Sequence, residues 1–159
     1  MTEKTILDNV DIGKIIETTS TRIASEITDV EKFAIIGVQT RGVELAMRIR
    51  SAIEKIHSKE IKFGVLDITF HRDDIATRGV LPVIKETRIE FDIEDMVILL
   101  VDDVIFTGRT AKAAIESLMS YGRPRMIKYF TLVDRGNREL PIQPDYCGYR
   151  VKTEVMKVQ

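Results

Sequence analysis

Val97-Ile98-Leu99-Leu100-Val101-Asp102-Asp103-Val104-Ile105-Phe106-Thr107-Gly108-Arg109-Thr110 joins three kinds of segment in one short stretch. The unbroken apolar run from Val97 to Val101 comes first. A run rich in Val, Ile and Leu, with no polar alternation, predicts a strand buried on both faces of a parallel sheet. Asp102 and Asp103 follow. Then comes a loop of small and hydroxylated residues that feeds an amphipathic pattern. Carboxylates set between apolar segments are costly unless something compensates them, so an acid pair that merely faces solvent is the weaker reading. Ligands of open α/β sheets bind beyond the carboxyl ends of the strands. The stretch therefore reads as the floor of a binding site and sets the fold class as α/β.

The flanking segments repeat the theme. Phe33 to Val38, Lys62 to Phe70 and Met126 to Val133 are further apolar runs of strand length. Between them lie helical patterns. Ile12, Ile15, Ile16, Thr19, Ile23 and Ile27 share a face over about Asp11 to Thr28, with Arg22 among the polar positions as a solvated residue. Leu45, Ile49, Ile53 and Ile56 form a second stripe. Ala111, Ala114, Ile115, Leu118 and Met119 form a third over Thr110 to Tyr121, with Met119 counted as core and Gly122 as the stop. Leu81 to Ile84 and Arg88 to Phe91 read as the strands of a hairpin. The run from Pro141 to Val158 reads as irregular and extended. Strands alternating with helices predict a doubly wound, mainly parallel sheet flanked by helices, in one domain over residues 1–159.

Composition narrows the function classes. Lys and Arg number 24 against 25 Asp and Glu, so nothing global attracts nucleic acid, though a local patch remains open. The single cysteine, Cys147, excludes an internal disulfide framework and a Cys-cluster zinc site, and two histidines argue against a His-based one. No signal peptide and no membrane-length apolar run is seen, which makes the cytoplasm the expected location.

Parallel strands end on one sheet edge, so their following turns converge. Gly37-Val38-Gln39-Thr40-Arg41-Gly42 leads from a strand into a helix whose free N–H groups and positive dipole end suit an anion. Arg41 adds a fork of donors. Alone, this reads as readily as an ordinary turn with an exposed arginine. Thr107-Gly108-Arg109-Thr110 has the same character, with two hydroxyls and little bulk at Gly108. It lacks the Gly-Lys-Ser/Thr ending of a P-loop, and no Gly-x-Gly-x-x-Gly occurs, which argues against those nucleotide sites. Asp102 and Asp103 would repel a phosphate. They can accept hydrogen bonds from vicinal hydroxyls one sugar length away, or help hold Mg²⁺ through water. The hairpin after Phe70 reads either as a lid carrying Arg72 and Arg78 or as a solvated loop.

These residues carry a resemblance. Val97 to Thr110 is similar to the phosphoribosyl pyrophosphate (PRPP) signature of type I phosphoribosyltransferases: hydrophobic strand, acid pair, apolar pair, Thr-Gly-x-Thr. The Gly37–Gly42 turn, Asp67-Ile68-Thr69-Phe70-His71-Arg72-Asp73-Asp74 and Val133-Asp134-Arg135-Gly136-Asn137-Arg138-Glu139-Leu140-Pro141-Ile142 resemble the pyrimidine-operon regulators that are also uracil phosphoribosyltransferases.

The resemblance implies the type I fold with a flexible hairpin lid and a small hood. It implies the reaction uracil + PRPP → UMP + pyrophosphate, with Mg²⁺ carried mainly by PRPP and no metal site of the protein's own. Thr107 to Thr110 would hold the 5′-phosphate, and Val104, Ile105 and Phe106 would line the same pocket. Asp102 and Asp103 would hold the ribose hydroxyls. Thr40 and Arg41 would take the pyrophosphate, on a turn that can contain a non-proline cis peptide. Arg41 and Arg72 would join the acid pair as catalytic groups. Arg135 and Val155 would lie at the nucleotide or base. The implied partners include pyrimidine-operon leader mRNA, with Arg22, Arg138 and Lys152 as candidate contacts, and a homo-oligomer of dimer size or larger. The chain departs from the family at Ser25 and Asn137, where members often carry His. A transferase for another base such as hypoxanthine, and a non-catalytic, nucleotide-sensing RNA-binding regulator, remain alternatives.

Overall fold

The computed structural model describes residues 7–69 and 86–151. Arg72, Arg78, Lys152 and Val155 lie outside the described residues, as do Phe70 and the strand expected over Leu81 to Ile84. In chain order the elements are α1 (Asn9–Glu26), a 3₁₀ turn (Val30–Lys32), β1 (Phe33–Val38), α2 (Arg41–His57), β2 (Lys62–Leu66), β3 (Val97–Ile105), α3 (Arg109–Met119), β4 (Met126–Asp134) and β5 (Tyr146–Arg150). The strands form one five-stranded sheet in the order β2-β1-β3-β4-β5, each neighbouring pair parallel.

The period of 2 along each strand divides the core. Phe33, Ile35, Leu99, Val101, Phe130 and Leu132 face Ile16, Ile23, Leu45, Ile49 and Ile53 of α1 and α2. Ala34, Ile36, Ile98, Leu100 and Tyr129 face Ala111, Ala114 and Leu118 of α3. Helices cover both faces, which is why the strands read as continuous apolar runs.

This winding places the site. From β1 the chain moves outward to β2, and from β3 it moves the opposite way to β4, so β1 and β3 meet at a topological switch point. Pairing of β1 with β3 stops at Gly37 opposite Val101, whereas β3 stays paired with β4 as far as Ile105 opposite Asp134. From Asp102 onward β3 therefore has a free side, where β1 has turned into α2. Gly42 makes that turn possible. A side chain there would collide with the Val101 carbonyl oxygen and sit 3.1 Å from the Asp102 Cα.

Several expectations need correction. Asp102 and Asp103 are not beyond the end of a strand but inside one, because β4 keeps pairing past them. Tyr146–Arg150 is a fifth strand, not irregular chain. Its sequence, Tyr-Cys-Gly-Tyr-Arg, lacks a β-branched run, and register with Phe130 to Asp134 makes it a strand. β2 stops at Leu66 because the Asp67 amide leaves the ladder for Thr87 Oγ1 at 2.8 Å. Arg88 to Phe91 contributes a single antiparallel bridge, Arg88 to Val65. Ile56 and Met119 are 52% and 50% exposed, each at the C-terminal end of its stripe, while Ala113 is buried instead. α1 begins at Asn9, two residues earlier than its apolar stripe suggests, because Asp8 caps it.

Candidate active site

The N-termini of α2 and α3 open onto the same cavity at this switch point. Its volume is about 390 Å³, and its lining includes Gln39, Thr40 and Arg41 from the first turn, Asp102 to Gly108 from β3 and its loop, and Thr110 and Ala111 from α3. The Gln39–Thr40 peptide is cis. Thr40 at the head of α2 and Gly108 at the head of α3 make no side-chain capping bond. Gly108 holds φ at 95°, a left-handed conformation that favours glycine. The α3 ladder starts with Lys112 N–H donating to the Gly108 carbonyl at 2.9 Å. The Arg109 amide donates to Thr107 Oγ1 at 3.2 Å. The Thr110 and Ala111 amides, in the first turn, have no intrahelical acceptor. Two uncapped helix starts give the cavity two places suited to anions.

The acid pair lies between them. Asp102 is only 5% exposed. One of its oxygens accepts the Asp103 amide at 2.8 Å, and the other accepts the Tyr129 hydroxyl at 3.3 Å. Burial, and then the adjacent Asp103 carboxylate, push the Asp102 carboxyl up to about 8. The Tyr129 hydroxyl is itself raised, by burial first and by Asp102 second, so it stays a protonated donor. Asp103 is half-buried, and its Oδ1 accepts the Val104 amide at 3.0 Å. Carboxylate oxygens beside an anion-accepting helix end can take sugar hydroxyls as donors.

The corner after β4 braces the loop between them. Glu139 and Leu140 amides both donate to the Thr107 carbonyl, at 2.8 and 3.1 Å. Arg109 Nε donates to Glu139 Oε1 at 2.7 Å. Arg138 folds back into the corner with its side chain 13% exposed and pairs Asp134 through both oxygens, at 2.8 and 2.7 Å. That guanidinium holds the Asp134 carboxyl below its ordinary range.

The sequence matches the family model described as phosphoribosyl transferase domain over residues 3–159. The chain belongs to the phosphoribosyl transferase family. A "Bifunctional protein PyrR" of Caldicellulosiruptor bescii is 48% identical over 150 residues, covering 94% of this chain and 82% of that relative. A protein of the same name from Thermus thermophilus is 50% identical over 145 residues, covering 87% and 80%. Among solved structures, a hypoxanthine phosphoribosyltransferase of Staphylococcus aureus aligns with a TM-score of 0.73 at 19% identity, covering 96% of this chain and 80% of that one, a likeness of fold. A purine phosphoribosyltransferase of Pyrococcus horikoshii aligns at 0.70 and 26% identity, covering 92% and 87%.

Most of the residues singled out in this phosphoribosyltransferase's sequence therefore share one cavity: Thr40, Arg41, Asp102 to Gly108 and Thr110. Arg109 and Arg135 are not in its lining. Arg135 lies over the Phe106 ring with 5.1 Å to the centroid. The candidate RNA contacts do not form one patch among the described residues. Arg22 pairs Glu26 at 3.7 Å and sits over the Tyr146 ring at 4.9 Å, whereas Arg138 is enclosed beyond the end of β4. Tyr129 went unnoticed in the sequence. A signal existed, since a tyrosine in an otherwise buried strand needs a partner for its hydroxyl. No helix among the described residues is long and apolar enough to cross a membrane.

Proposed function

We propose that the protein is a uracil phosphoribosyltransferase that forms UMP and pyrophosphate from uracil and PRPP, and that it also binds pyrimidine-operon leader mRNA in response to UMP. The observation that carries the enzymatic reading is the pair of uncapped helix starts flanking Asp102 and Asp103 in one cavity. PRPP has the matching parts: a 5′-phosphate, two ring hydroxyls and a pyrophosphate. Thr107 to Thr110 take the 5′-phosphate at the start of α3. Thr40 and Arg41 take the pyrophosphate at the start of α2. Asp102 and Asp103 accept the ribose hydroxyls between them.

Positive charge develops on the ribose as the pyrophosphate leaves. The more exposed member of the pair, Asp103, stabilises that charge, and the α2 end with Arg41 stabilises the departing anion. Catalysis rests on positioning and electrostatics, without a protein nucleophile. Asp102 and Asp103 also supply the hard oxygen donors that a PRPP-borne Mg²⁺ would meet, and that ion would offset pyrophosphate charge. Arg135 lies at the base end of the nucleotide. Arg72 and Val155 belong to the same reading as lid-base and base-pocket residues.

The choice of uracil and the regulatory role are supported by the motifs after β2 and β4 and by relatives named bifunctional protein PyrR. The likeness to a purine phosphoribosyltransferase at 26% identity favours a purine base as the second reading. The chain is also read as a homo-oligomer, a dimer or larger. Incubating the protein with PRPP, Mg²⁺ and radiolabelled uracil or hypoxanthine separates the two bases. UMP formation supports the first reading, and product from hypoxanthine alone replaces it. Titration of a leader hairpin with and without UMP tests regulation. Weak binding that UMP leaves unchanged, with a steep salt slope, would remove the RNA role.

A further inference from the structure

We propose that Arg138 is a positioning residue for the phosphate loop, aiming two of its backbone amides into the cavity, and not a residue that contacts RNA. The proposal rests on the assignment of Thr107 to Thr110 to the 5′-phosphate.

An arginine has five N–H donors. In Arg138 each has a protein acceptor. Nε donates to the Ile142 carbonyl at 2.7 Å. Nη1 donates to the Phe106 carbonyl at 2.9 Å and to Asp134 Oδ1 at 2.8 Å. Nη2 donates to Asp134 Oδ2 at 2.7 Å and to Gln143 Oε1 at 2.9 Å. A guanidinium so committed has no donor left for a nucleic-acid phosphate unless the corner comes apart.

The acceptors reveal what the arrangement does. Ile142 and Gln143 belong to the corner, Asp134 ends β4, and Phe106 begins the phosphate loop. One side chain thus ties the corner to the loop. The next carbonyl, that of Thr107, is held by the same corner through the Glu139 and Leu140 amides. In a planar trans peptide the N–H points opposite to the C=O. Drawing the Phe106 and Thr107 carbonyls toward the corner therefore turns the Thr107 and Gly108 amides the other way, toward the cavity both residues line. Leu140 completes the brace, with its Cβ 3.4 Å from the place a Gly108 Cβ would occupy. The pyrophosphate corner at Thr40 and Arg41 shares none of these bonds.

That independence provides the test. Arg138→Lys keeps a positive charge opposite Asp134 but cannot bridge it to the Phe106 and Ile142 carbonyls at once. Calorimetric titration of wild type and variant with ribose 5-phosphate and, separately, with Mg-pyrophosphate reads the two corners without any base. Ribose 5-phosphate affinity is expected to fall roughly 10-fold or more, as for a misplaced binding group, while Mg-pyrophosphate affinity is unchanged. Equal ribose 5-phosphate affinity in both proteins would overturn the proposal, and so would equal weakening of both ligands, which marks a general structural role. Failure of the wild type to bind either ligand would instead sink the PRPP reading, and this inference with it. Should Arg138→Lys fail to fold, Gln143→Ala removes one acceptor at the solvent side. A smaller loss confined to ribose 5-phosphate supports the proposal, and wild-type affinity contradicts it.

Discussion

The N-terminus of α1 and those of α2 and α3 solve the same problem in opposite ways. At α1, Asp8 accepts the Asp11 amide at 2.8 Å and Asp11 accepts the Asp8 amide at 3.2 Å, a reciprocal capping box. At α2 and α3 the capping positions are Thr40 and Gly108, and neither supplies a side-chain acceptor. The α1 end faces no cavity described above, and the other two share one. A helix end with only its own amides to satisfy carries a cap, whereas these two ends leave amides for a ligand. Carboxylates do occur in the cavity, but on β3 between the two ends, where the proposed reading sets them against sugar hydroxyls and not phosphates.

The comparison can be broken at either kind of end. The largest effect is expected at the acids between the open ends: Asp103→Asn should lower kcat/KM by roughly 100-fold or more, a loss typical of removing transition-state electrostatics, with the far-UV spectrum unchanged. Wild-type kinetics in that variant would place the site elsewhere. At α3, Thr110→Ala should weaken PRPP binding by roughly 10-fold, the scale of one charge-assisted hydrogen bond, while the melting temperature holds. At α1 the order reverses. Asp8→Ala should cost about 1 kcal/mol of stability in urea unfolding and leave PRPP affinity untouched; a change in affinity there would end the distinction between closed and open helix starts.

A pH series sharpens the same contrast. The Asp102 carboxyl is raised from an ordinary 3.8 to about 8, so between those values the folded chain holds a proton that the unfolded chain releases. Stability should therefore fall as pH rises through that window. Asp102→Asn should flatten this fall, and an equally steep profile in the variant would show that another group is responsible.

How much of this was legible in the sequence depends on range. The strand at Phe33–Val38 and the run from Val97 stood out because both faces are buried, and the turns at Thr40 and Thr107 followed from their small and hydroxylated residues. Convergence of those turns follows from parallel strands alone. β5 was hidden because its strand character comes from pairing with β4 and not from its own residues. Tyr129 was hidden because its partner Asp102 is distant in sequence and is reached only through the β3–β4 register. The surroundings of Arg138 were hidden for a similar reason. The resemblance places it at RNA, and only the folded corner reveals Asp134 and three further acceptors around it.

The most direct test of the central claim is formation of UMP from radiolabelled uracil, PRPP and Mg²⁺ by three proteins side by side: wild type, Asp103→Asn and Asp8→Ala. The expected result is UMP from the wild type and from Asp8→Ala at equal rates, and a rate near background from Asp103→Asn. No UMP from the wild type, or full activity in Asp103→Asn, would contradict it.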